Sequence, residues 1–374
     1  MICFAWGGFP QYAARLVGAF AGTSPERVVV AGKKPAVPVE GMEKYTKCEL
    51  KWVSPYEKVS LYDLFGEWPR VLFTTGWCWP AFNHFRDQVR AHGGKVVAMV
   101  DNNYDIHGLK DWMREILKAI RFRLFLRSKY DAFFVVGKSG RRILRFWGAK
   151  DEQIYEGLYA ADETLFTPGP PIAERPKKII YVGQLCERKN VRRLCEAFGR
   201  SLEVLKFRGL DVGTWSLEMY GCGPLKDELL KLPNLQTSKP PNFQTSKLPN
   251  LQTSKLPNLH IHDFMQPEEL AAKYREARIF ILPSLEEHWG LVVHEAALSG
   301  CVLLLSNRVG AADDLLKEGV NGYSFDPFDV DDMADKMARA MAEAESLDVA
   351  AAQKIAAENA TQRFAAVVRR IVHV

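Results

Sequence analysis

Two carboxylates separated by a largely apolar stretch are the residues whose spacing first suggests chemistry. Glu287 and Glu295 lie in SLEEHWGLVVHEAALSG, residues 284–300, which follows the apolar run RIFILP at 278–283. We expect that run to be a buried strand and Gly290 to begin a helix after the loop. A helix N-terminus at the carboxyl end of a strand offers free N–H groups and a positive dipole, and both suit a phosphate group.

The two acids can face one crevice, because Glu287 precedes the helix and Glu295 lies about one and a half turns inside it. One acid could bind sugar hydroxyls and the other a ribose, with a diphosphate on the amides between them. A second interpretation stays open, since an acidic first turn followed by a solvent-facing helix glutamate has the same spacing.

Short apolar runs alternate with helical patterns along the chain, which is typical of parallel sheets covered on both faces. The runs are RVVVAG (27–32), RVLFTT (70–75), KVVAMV (95–100), DAFFVV (131–136), KKIIYVG (177–183), SLEMYG (216–221), RIFILP (278–283) and CVLLLS (301–306). FTPGPPIAERPKK, residues 166–178, indicates a linker. We therefore expect an α/β protein with two doubly wound, Rossmann-like domains over 1–165 and 179–345, followed by a helix over 350–374.

Residues 232–258 do not fit this alternation. LPNLQTSK, PPNFQTSK, LPNLQTSK and the diverged LPNLHIHD follow one another from 232 to 263. Each copy carries proline, which does not fit a helix interior or a central strand. We interpret 232–258 as a surface insertion in the second domain; a specific binding role is the alternative.

Composition excludes several classes of protein. The chain has 374 residues, a net charge of only +5 and seven cysteines without a CxxC pair. Scattered cysteines in a chain of this length favour reduced thiols in the cytoplasm. The first residues, MICFAWGGFPQYAARL, lack the pattern of a signal peptide, and no run approaches the roughly 18 apolar residues of a membrane-spanning helix.

Several ordered motifs resemble one enzyme family. The E-x7-E spacing of EHWGLVVHE resembles the donor-site motif of the family 4 retaining glycosyltransferases, which have the GT-B fold. Nearly all of the C-terminal half shares the resemblance, through the segments YVGQLCERKNVRRLCEAF (181–198), MYGCGPLKDELL (219–230) and VGAADDLLKEGVNGYSFDPFD (309–329). GGFPQY (7–12) and IYEGLYAADETLFTP (154–168) are similar to the family in the N-terminal half.

The resemblance implies two domains that face each other across a cleft, with the final helix crossing back onto the first domain. It implies that Glu295 binds a ribose, that Glu287 holds hydroxyls of the transferred sugar, and that Lys189 binds the diphosphate. The implied donor-binding residues are Gly183, Gln184, Arg188, Lys189, Gly221, Gly223, Glu287, Gly290, Leu291, Val292 and Glu295. The implied acceptor side comprises Gly7, Gly8 and Tyr12. Cationic side chains can stabilise the leaving diphosphate without a metal, and DVDD at 329–332 is interpreted as a helix cap, so neither metal nor cofactor is expected.

The chain departs from the family pattern at two positions. Gln184 stands where the family usually has arginine, and Arg188 is the candidate for the second cation. Val100 stands where the family often has histidine, so Asp101, the next residue, is the catalytic candidate on that side with Glu287 and Lys189. His107 lies nearby and is interpreted as a loop residue, whereas His288 and His294 are interpreted as packing or surface residues.

The expected activity is transfer of a sugar, with retention, from a nucleotide sugar to a glycan or lipid-linked acceptor in cell-surface polysaccharide or glycolipid synthesis. Two alternatives remain. One is a sugar-phosphate synthase or phosphorylase on the same fold, which several arginines near Gly7 and Gly8 would favour. The other is a catalytically silent nucleotide-sugar-binding protein, which the departures at Gln184 and Val100 favour.

A strongly basic segment lies at residues 112–130, WMREILKAIRFRLFLRSKY, with six cations and one acid. Trp112, Phe122, Phe125 and Leu126 are interleaved with the cations. Such a helix can lie on an anionic membrane, and a solvated helix that covers a sheet gives a similar pattern. No nucleic-acid-binding motif accompanies it, so we expect no nucleic acid and place the protein in the cytoplasm, with peripheral attachment to the inner face of the membrane as an option.

Overall fold

Apolar segments of the chain form two parallel sheets. The computed structural model describes residues 1–35, 42–210, 215–231 and 258–373, in which the sheets have seven and six strands. The strands are β1 (Ile2–Trp6), β2 (Val28–Gly32), β3 (Glu49–Trp52), β4 (Val71–Thr75), β5 (Lys95–Val100), β6 (Ala132–Val135), β7 (Ile154–Glu156), β8 (Lys178–Val182), β9 (Ser216–Tyr220), β10 (Leu259–His262), β11 (Ile279–Leu282), β12 (Val302–Ser306) and β13 (Gly322–Phe325). Every run predicted as a strand forms one, and the predicted fold class is confirmed.

The strand order places one switch point in each sheet. The first sheet runs β3-β2-β1-β4-β5-β6-β7 and the second β10-β9-β8-β11-β12-β13. The order reverses between β1 and β4 and between β8 and β11. Ligands of open α/β sheets bind at the carboxyl ends of the strands at such points. The segments after these four strands are therefore the first places to look for a site.

Helices cover both faces of the sheets. They are α1 (Gln11–Ala21), α2 (Met42–Thr46), α3 (Leu61–Phe65), α4 (Pro80–Ala91), α5 (Leu109–Arg121), α6 (Lys138–Trp147), α7 (Val191–Phe207), α8 (Lys226–Leu229), α9 (Pro267–Glu276), α10 (Leu291–Leu298), α11 (Ala312–Leu315), α12 (Val330–Glu343), α13 (Val349–Glu358) and α14 (Thr361–His373). Phe4 and Trp6 of β1 belong to one buried apolar layer, whereas Cys3 and Ala5 belong to another. Burial on both faces explains why β1 is apolar at every position.

The chain crosses between the two sheets twice. The first crossing joins β7 to β8, and the second lies between α13, which packs on α10, and α14, which packs on α1. The sequence predicts one helix over 350–374, but the structure has two, because the chain breaks after Glu358 and restarts at Thr361. The Thr361 hydroxyl donates to Glu163 at 2.7 Å, which fixes the restart against the first domain. Only α14 therefore returns to that domain.

The basic segment forms α5, a π-helical turn (Phe122–Leu126) and a 3-10 turn (Arg127–Lys129). The four apolar side chains interleaved with its cations do not share one face. Phe122 and Leu126 are buried against the first sheet, whereas Trp112 and Phe125 are exposed. The π turn is wider than an α turn, so it changes the direction of the side chains that follow.

Three further predictions concern the repeat, the helix cap at 329–332 and membrane-spanning helices. The repeat lies almost entirely outside the described residues, which resume at Asn258. Asp329 is the N-cap of α12 and accepts hydrogen bonds from the amides of Asp331 and Asp332, so the predicted helix cap is confirmed. No helix among the described residues is long and apolar enough to cross a membrane.

Candidate functional site

The loops after β8 and β11 are joined at the switch point of the second sheet. The β8 loop ends in a 3-10 turn, Glu187–Lys189, and the β11 loop runs from Pro283 to Gly290. The Leu285 amide donates to the Arg188 carbonyl at 2.9 Å. The Arg188 guanidinium donates to the Glu286 carbonyl at 2.7 Å. These bonds hold the two loops in one rigid arrangement.

Lys189 and Glu287 meet between these loops. The Lys189 ammonium donates directly to the Glu287 carboxylate, and Arg188 lies 3.5 Å from the same carboxylate oxygen. The Lys189 and Glu287 side chains are only 10% and 15% exposed, so the pair is largely removed from water. The structure thus brings together Lys189 and Glu287, which the sequence separates by 98 residues. Gln184 lies exposed at the start of the same loop.

Gly290 sets the start of α10. Its φ of +88° is in the left-handed region, which costs other L-residues free energy. A Cβ atom there would lie 3.2–3.3 Å from atoms of Leu282, Val293 and Glu287. The following residues, Leu291 and Val292, are partly exposed at the helix start. The first amides of α10 are therefore free to meet an anion.

Three of the predicted donor-site glycines, Gly183, Gly221 and Gly223, lie where the loops after β8 and β9 pack closely against each other. A Cβ on Gly221 would lie 1.9 Å from the Gly183 carbonyl oxygen, and one on Gly223 would lie 2.4 Å from the Leu185 carbonyl oxygen. The Leu185 amide also donates to the Cys222 carbonyl at 2.9 Å. Close approach of the two backbones explains glycine at both 221 and 223.

Glu295 lies on the second turn of α10 above Tyr274. The Tyr274 hydroxyl donates to the Glu295 carboxyl at 3.0 Å. Burial raises the pKa of Glu295 to about 7, although the tyrosine hydrogen bond acts in the opposite direction. Glu287 and Glu295 therefore have different surroundings, since Glu287 is paired with cations and Glu295 lies against a phenol.

The predicted acceptor-side residues lie at the carboxyl edge of the first sheet. Gly7 and Gly8 follow β1, and the Gly7 amide donates to the Thr75 hydroxyl at 2.7 Å. Asp101 follows β5 and is exposed. Burial raises the pKa of Tyr159 well above its usual value, and the adjacent Tyr12 and Asp101 act in the same direction. Tyr12, Asp101 and Tyr159 thus form one local group.

One cavity joins the two halves of the predicted site. Tyr12 of α1 lines it together with Leu291 and Glu295 of α10. Arg15 lines the same cavity and forms ion pairs with Asp162 at 2.6 Å and Glu268 at 2.7 Å. Sequence reasoning missed Arg15, although a lone arginine among the apolar residues AARLV was a signal for it.

Contacts across the cleft bring the facing edges together. The Asn103 amide donates to the Glu287 carbonyl at 3.3 Å. Asp105 pairs with Arg308 at 3.1 Å and with His107 at 2.6 Å, so His107 has a loop contact of its own. The loop after β5, which begins with Asp101, therefore lies against the loop that carries Glu287.

His294, which precedes Glu295, has a structural role. It is buried, its Nε2 lies 2.8 Å from the Ala356 carbonyl, and burial lowers its pKa to about 4. The interpretation of His294 as a packing residue is confirmed. His288 is partly exposed beside Glu286, at 3.2 Å.

Comparison with solved structures finds the same fold over nearly the whole chain. HepE from Anabaena, solved with UDP and glucose, is similar with a TM-score of 0.70 at 12% identity, and the match covers 100% of this chain and 99% of that one. The lipopolysaccharide outer core galactosyltransferase WaaB, in its apo form, matches with a TM-score of 0.66 at 14% identity over 99% and 98% of the two chains. Both likenesses show the fold.

Sequence comparison identifies the family. Sulfoquinovosyl transferase SQD2 from Arabidopsis thaliana is 25% identical over 217 residues, which are 57% of this chain and 36% of that protein. The match thus spans about a third of the length of that relative. The family model described as glycosyl transferases group 1 matches residues 163–362, more than half of the 374 residues. The chain therefore belongs to the glycosyl transferases of group 1.

Proposed function

We propose that this glycosyltransferase moves a sugar from a nucleotide sugar to a glycan or lipid-linked acceptor, with retention at the anomeric carbon. The observation that carries this proposal is the pairing of Lys189 and Arg188 with Glu287 beside the start of α10. That arrangement offers cations for a diphosphate and an acid for sugar hydroxyls within one switch point. Its product would belong to cell-surface polysaccharide or glycolipid synthesis.

In the proposed complex the diphosphate lies on Lys189 and on the first amides of α10. Its negative charge competes with Glu287 for the lysine ammonium, which frees the carboxylate to accept hydrogen bonds from sugar hydroxyls. Glu295 accepts hydrogen bonds from the ribose. The UDP and glucose of the HepE complex support testing UDP-sugars first, and sulfoquinovosyl transfer by SQD2 widens the range of sugars to test.

The proposed reaction places the acceptor on the side of the first domain. The bond between the anomeric carbon and the diphosphate oxygen breaks, and a bond to the acceptor hydroxyl oxygen forms on the same face. The acceptor proton passes to the leaving phosphate oxygen. Lys189 and Arg188 stabilise the charge that develops on the diphosphate. Asp101, with Gly7, Gly8 and Tyr12, orients the acceptor. The proposed reaction uses neither a metal nor a cofactor, because Lys189 and Arg188 supply the positive charge.

The lipid-linked class of acceptor is supported by the similar fold of WaaB, a lipopolysaccharide outer core galactosyltransferase. A sugar-phosphate synthase or phosphorylase would use the same donor site and differ in its acceptor. A catalytically silent binding protein would retain the donor and release no product. We place the activity in the cytoplasm, at the inner face of the membrane.

A thermal-shift panel of nucleotides and nucleotide sugars is the first test. A ligand that binds the folded state at about 100 times its Kd stabilises it by about 2.7 kcal/mol. We expect one nucleotide sugar to raise Tm and to be consumed when a glycan or lipid-linked acceptor is added, with its anomeric configuration kept in the product.

Three results would contradict parts of the proposal. No shift with any nucleotide sugar would overturn the donor site. Inversion at the anomeric carbon would overturn retention. Turnover only with a sugar phosphate or inorganic phosphate as acceptor would establish the synthase or phosphorylase alternative instead.

A further inference from the structure

An apolar stripe on α5 and its π turn faces solvent. Its members are 49–72% exposed, although all are large hydrophobic side chains. We name this surface the α5 stripe; it comprises Leu109, Met113, Leu117, Ile120, Leu124 and Phe125. Soluble proteins seldom expose a contiguous apolar patch of this kind unless something binds there.

The same helix already has a buried face. Glu115 and Ala119 of α5 are buried with Phe122 and Leu126 of the π turn. Leu117 follows Glu115 by two positions, and about 100° per residue places it on nearly the opposite side of the helix. Packing against the first sheet therefore does not account for the α5 stripe, because a helix that covers a sheet needs only one apolar face.

Cations flank one side of the α5 stripe. Lys110, Arg114, Lys118 and Arg121 recur at spacings of four, four and three residues, one position after members of the stripe. They therefore form their own row beside it. All four are exposed.

Acids form ion pairs with two of the four cations in this row. Arg114 lies 3.4 Å from Asp111, and Lys118 lies 2.6 Å from Glu115. Within the described part of the chain, no acidic side chain forms an ion pair with Lys110 or Arg121. Residues 110–129 hold seven cations and two acids, an excess of five positive charges.

Arg123 does not belong to this row. Its guanidinium donates to the Trp147 carbonyl at 3.0 Å and to the Phe146 carbonyl at 3.3 Å, at the end of α6. It satisfies carbonyl groups that the helix leaves without partners. Replacing Arg123 would therefore disturb the fold, so a test of surface charge must use other positions.

We propose that the α5 stripe and its cationic row form a docking surface for an anionic lipid bilayer. The apolar side chains enter the boundary between headgroups and acyl chains, while the cations remain among the anionic headgroups. Trp112, which is 46% exposed, has the amphipathic ring typical of that boundary. A second copy of the chain is a poorer occupant, because its own cations would face these.

The surface begins at the edge of the cleft. The loop that precedes α5 carries Asn103, which contacts Glu287, and Asp105, which pairs with Arg308. A bilayer on the α5 stripe would therefore hold the mouth of the cleft close to the headgroups. Only this consequence, access to a lipid-borne acceptor, depends on the proposed function; bilayer binding itself does not.

Vesicle flotation of the full chain tests the surface without any sugar. We compare phosphatidylcholine vesicles with vesicles that also contain phosphatidylglycerol. The wild-type chain should float with the anionic vesicles and be released by salt. Replacing Lys110 and Arg121 with glutamine should weaken partitioning about five-fold per cation. Replacing Leu117 and Leu124 with glutamine should weaken it about ten-fold or more.

The matched control changes the same types of residue elsewhere. Lys206→Gln with Phe207→Gln replaces an exposed cation and an exposed aromatic residue at the end of α7. It should float as the wild type does. All variants alter exposed side chains, so their Tm values should stay close to wild type and report that each chain is folded.

Several outcomes would overturn the proposal. One is equal binding to neutral and anionic vesicles, or none to either. Another is equal loss of binding in the α7 control. Loss of a dimer in the Leu117 and Leu124 variant, with unchanged flotation, would assign the α5 stripe to self-association. If flotation behaves as expected but no sugar is transferred, the proposed function fails while the docking surface stands.

Discussion

The Lys189 ammonium and the Glu287 carboxylate neutralise each other within the two loops that follow β8 and β11. A donor diphosphate would therefore replace one anionic partner of the lysine with another rather than meet a free cation. The pair keeps both charges hydrogen-bonded in a place that water reaches poorly, which lowers the free-energy cost of burying them.

Replacement of Lys189 should separate its structural and chemical roles. Lys189→Met leaves Glu287 with Arg188 as its cationic partner, so we expect a loss of about 1–3 kcal/mol in the free energy of unfolding. Diphosphate affinity and kcat should both fall, because the charge matters in the ground state and in the transition state. Denaturant unfolding, calorimetric titration with the nucleotide and steady-state kinetics measure the three quantities.

The double variant Lys189→Met, Glu287→Gln is the control for stability. It should recover part of the lost stability, because the partly buried carboxylate that has lost its lysine is replaced by a neutral amide, yet it should stay inactive. Glu287→Gln alone should keep free-nucleotide affinity and lose turnover. Wild-type turnover in Lys189→Met would refute the assignment of Lys189 to the diphosphate.

Removal of the Glu295 carboxylate should weaken binding of the nucleotide and binding of the nucleotide sugar by similar factors. Loss of hydrogen bonds to a charged acceptor suggests about 1.5–3 kcal/mol for Glu295→Ala. Calorimetric titration of both ligands measures this loss. Glu269→Ala removes an exposed glutamate from α9 and should leave both affinities unchanged. A Glu295→Ala chain that binds the free nucleotide as tightly as the wild type would exclude a ribose contact.

Nucleotide-sugar affinity should increase as the pH rises through about 7, the raised pKa of Glu295. The carboxylate accepts ribose hydroxyls better than the protonated acid, and esterified diphosphates do not titrate in this range. Glu295→Gln should bind with little pH dependence. Tyr274→Phe should move the midpoint to a higher pH, because it removes a hydrogen bond that lowers the pKa of Glu295.

Titration of Glu295 should also lower the free energy of unfolding as the pH rises, whereas it increases ligand affinity. The folded state holds the Glu295 proton more tightly than the unfolded chain, whose pKa is about 4.5. Its stabilising contribution is thus complete below that pH and decreases as the pH rises to about 7, by roughly 1–3 kcal/mol. Denaturant unfolding of wild type and Glu295→Gln across this window measures the difference. Parallel pH profiles in the two chains would contradict the assignment of the raised pKa.

A methyl group at Gly290 should disturb the start of α10. Gly290→Ala places an L-residue at a φ of +88° and adds contacts at 3.2–3.3 Å. We expect a loss of about 1–3 kcal/mol in the free energy of unfolding, together with weaker diphosphate binding. Gly66→Ala is the matched control. Gly66 has a φ of +73°, no atom within 4 Å of the added carbon and no place in the site. Equal effects of both variants on ligand affinity would show that Gly290 has no special role there.

Eight strands were predicted from apolar runs, whereas central β1 and the four edge strands, β3, β7, β10 and β13, were not among those runs. β2, β4, β5 and β6 are nearly continuous apolar runs, because neighbouring strands and helices cover them on all sides. β3, β7, β10 and β13 are the edge strands of the two sheets. β3 alternates exposed and partly buried residues, so its sequence, ELKW, has no apolar run to recognise.

The candidate site shows a similar division. Spacing predicted that Glu287 and Glu295 face one crevice, and the family resemblance implied that Lys189 joins them, because their loops and α10 lie at the carboxyl edge of one sheet. Neither predicted that Lys189 pairs with Glu287 or that Tyr274 lies beneath Glu295. Those contacts depend on how separate loops and helices pack, and the spacing of residues along the chain does not give the distances between them. Arg15 was missed for the same reason, since its partners Asp162 and Glu268 lie far along the chain.

The position of α14 has a consequence for how the chain is made. Phe364 lies 6.4 Å from Phe4 and 5.4 Å from Phe134, measured between ring centroids, within the apolar layer of the first sheet. A ribosome releases β1 long before α14, so this layer of the first sheet is filled only after the strands of the second sheet have been made. Until then, the newly made first domain exposes an apolar groove beside α1, and the second domain can complete its own core earlier than the first.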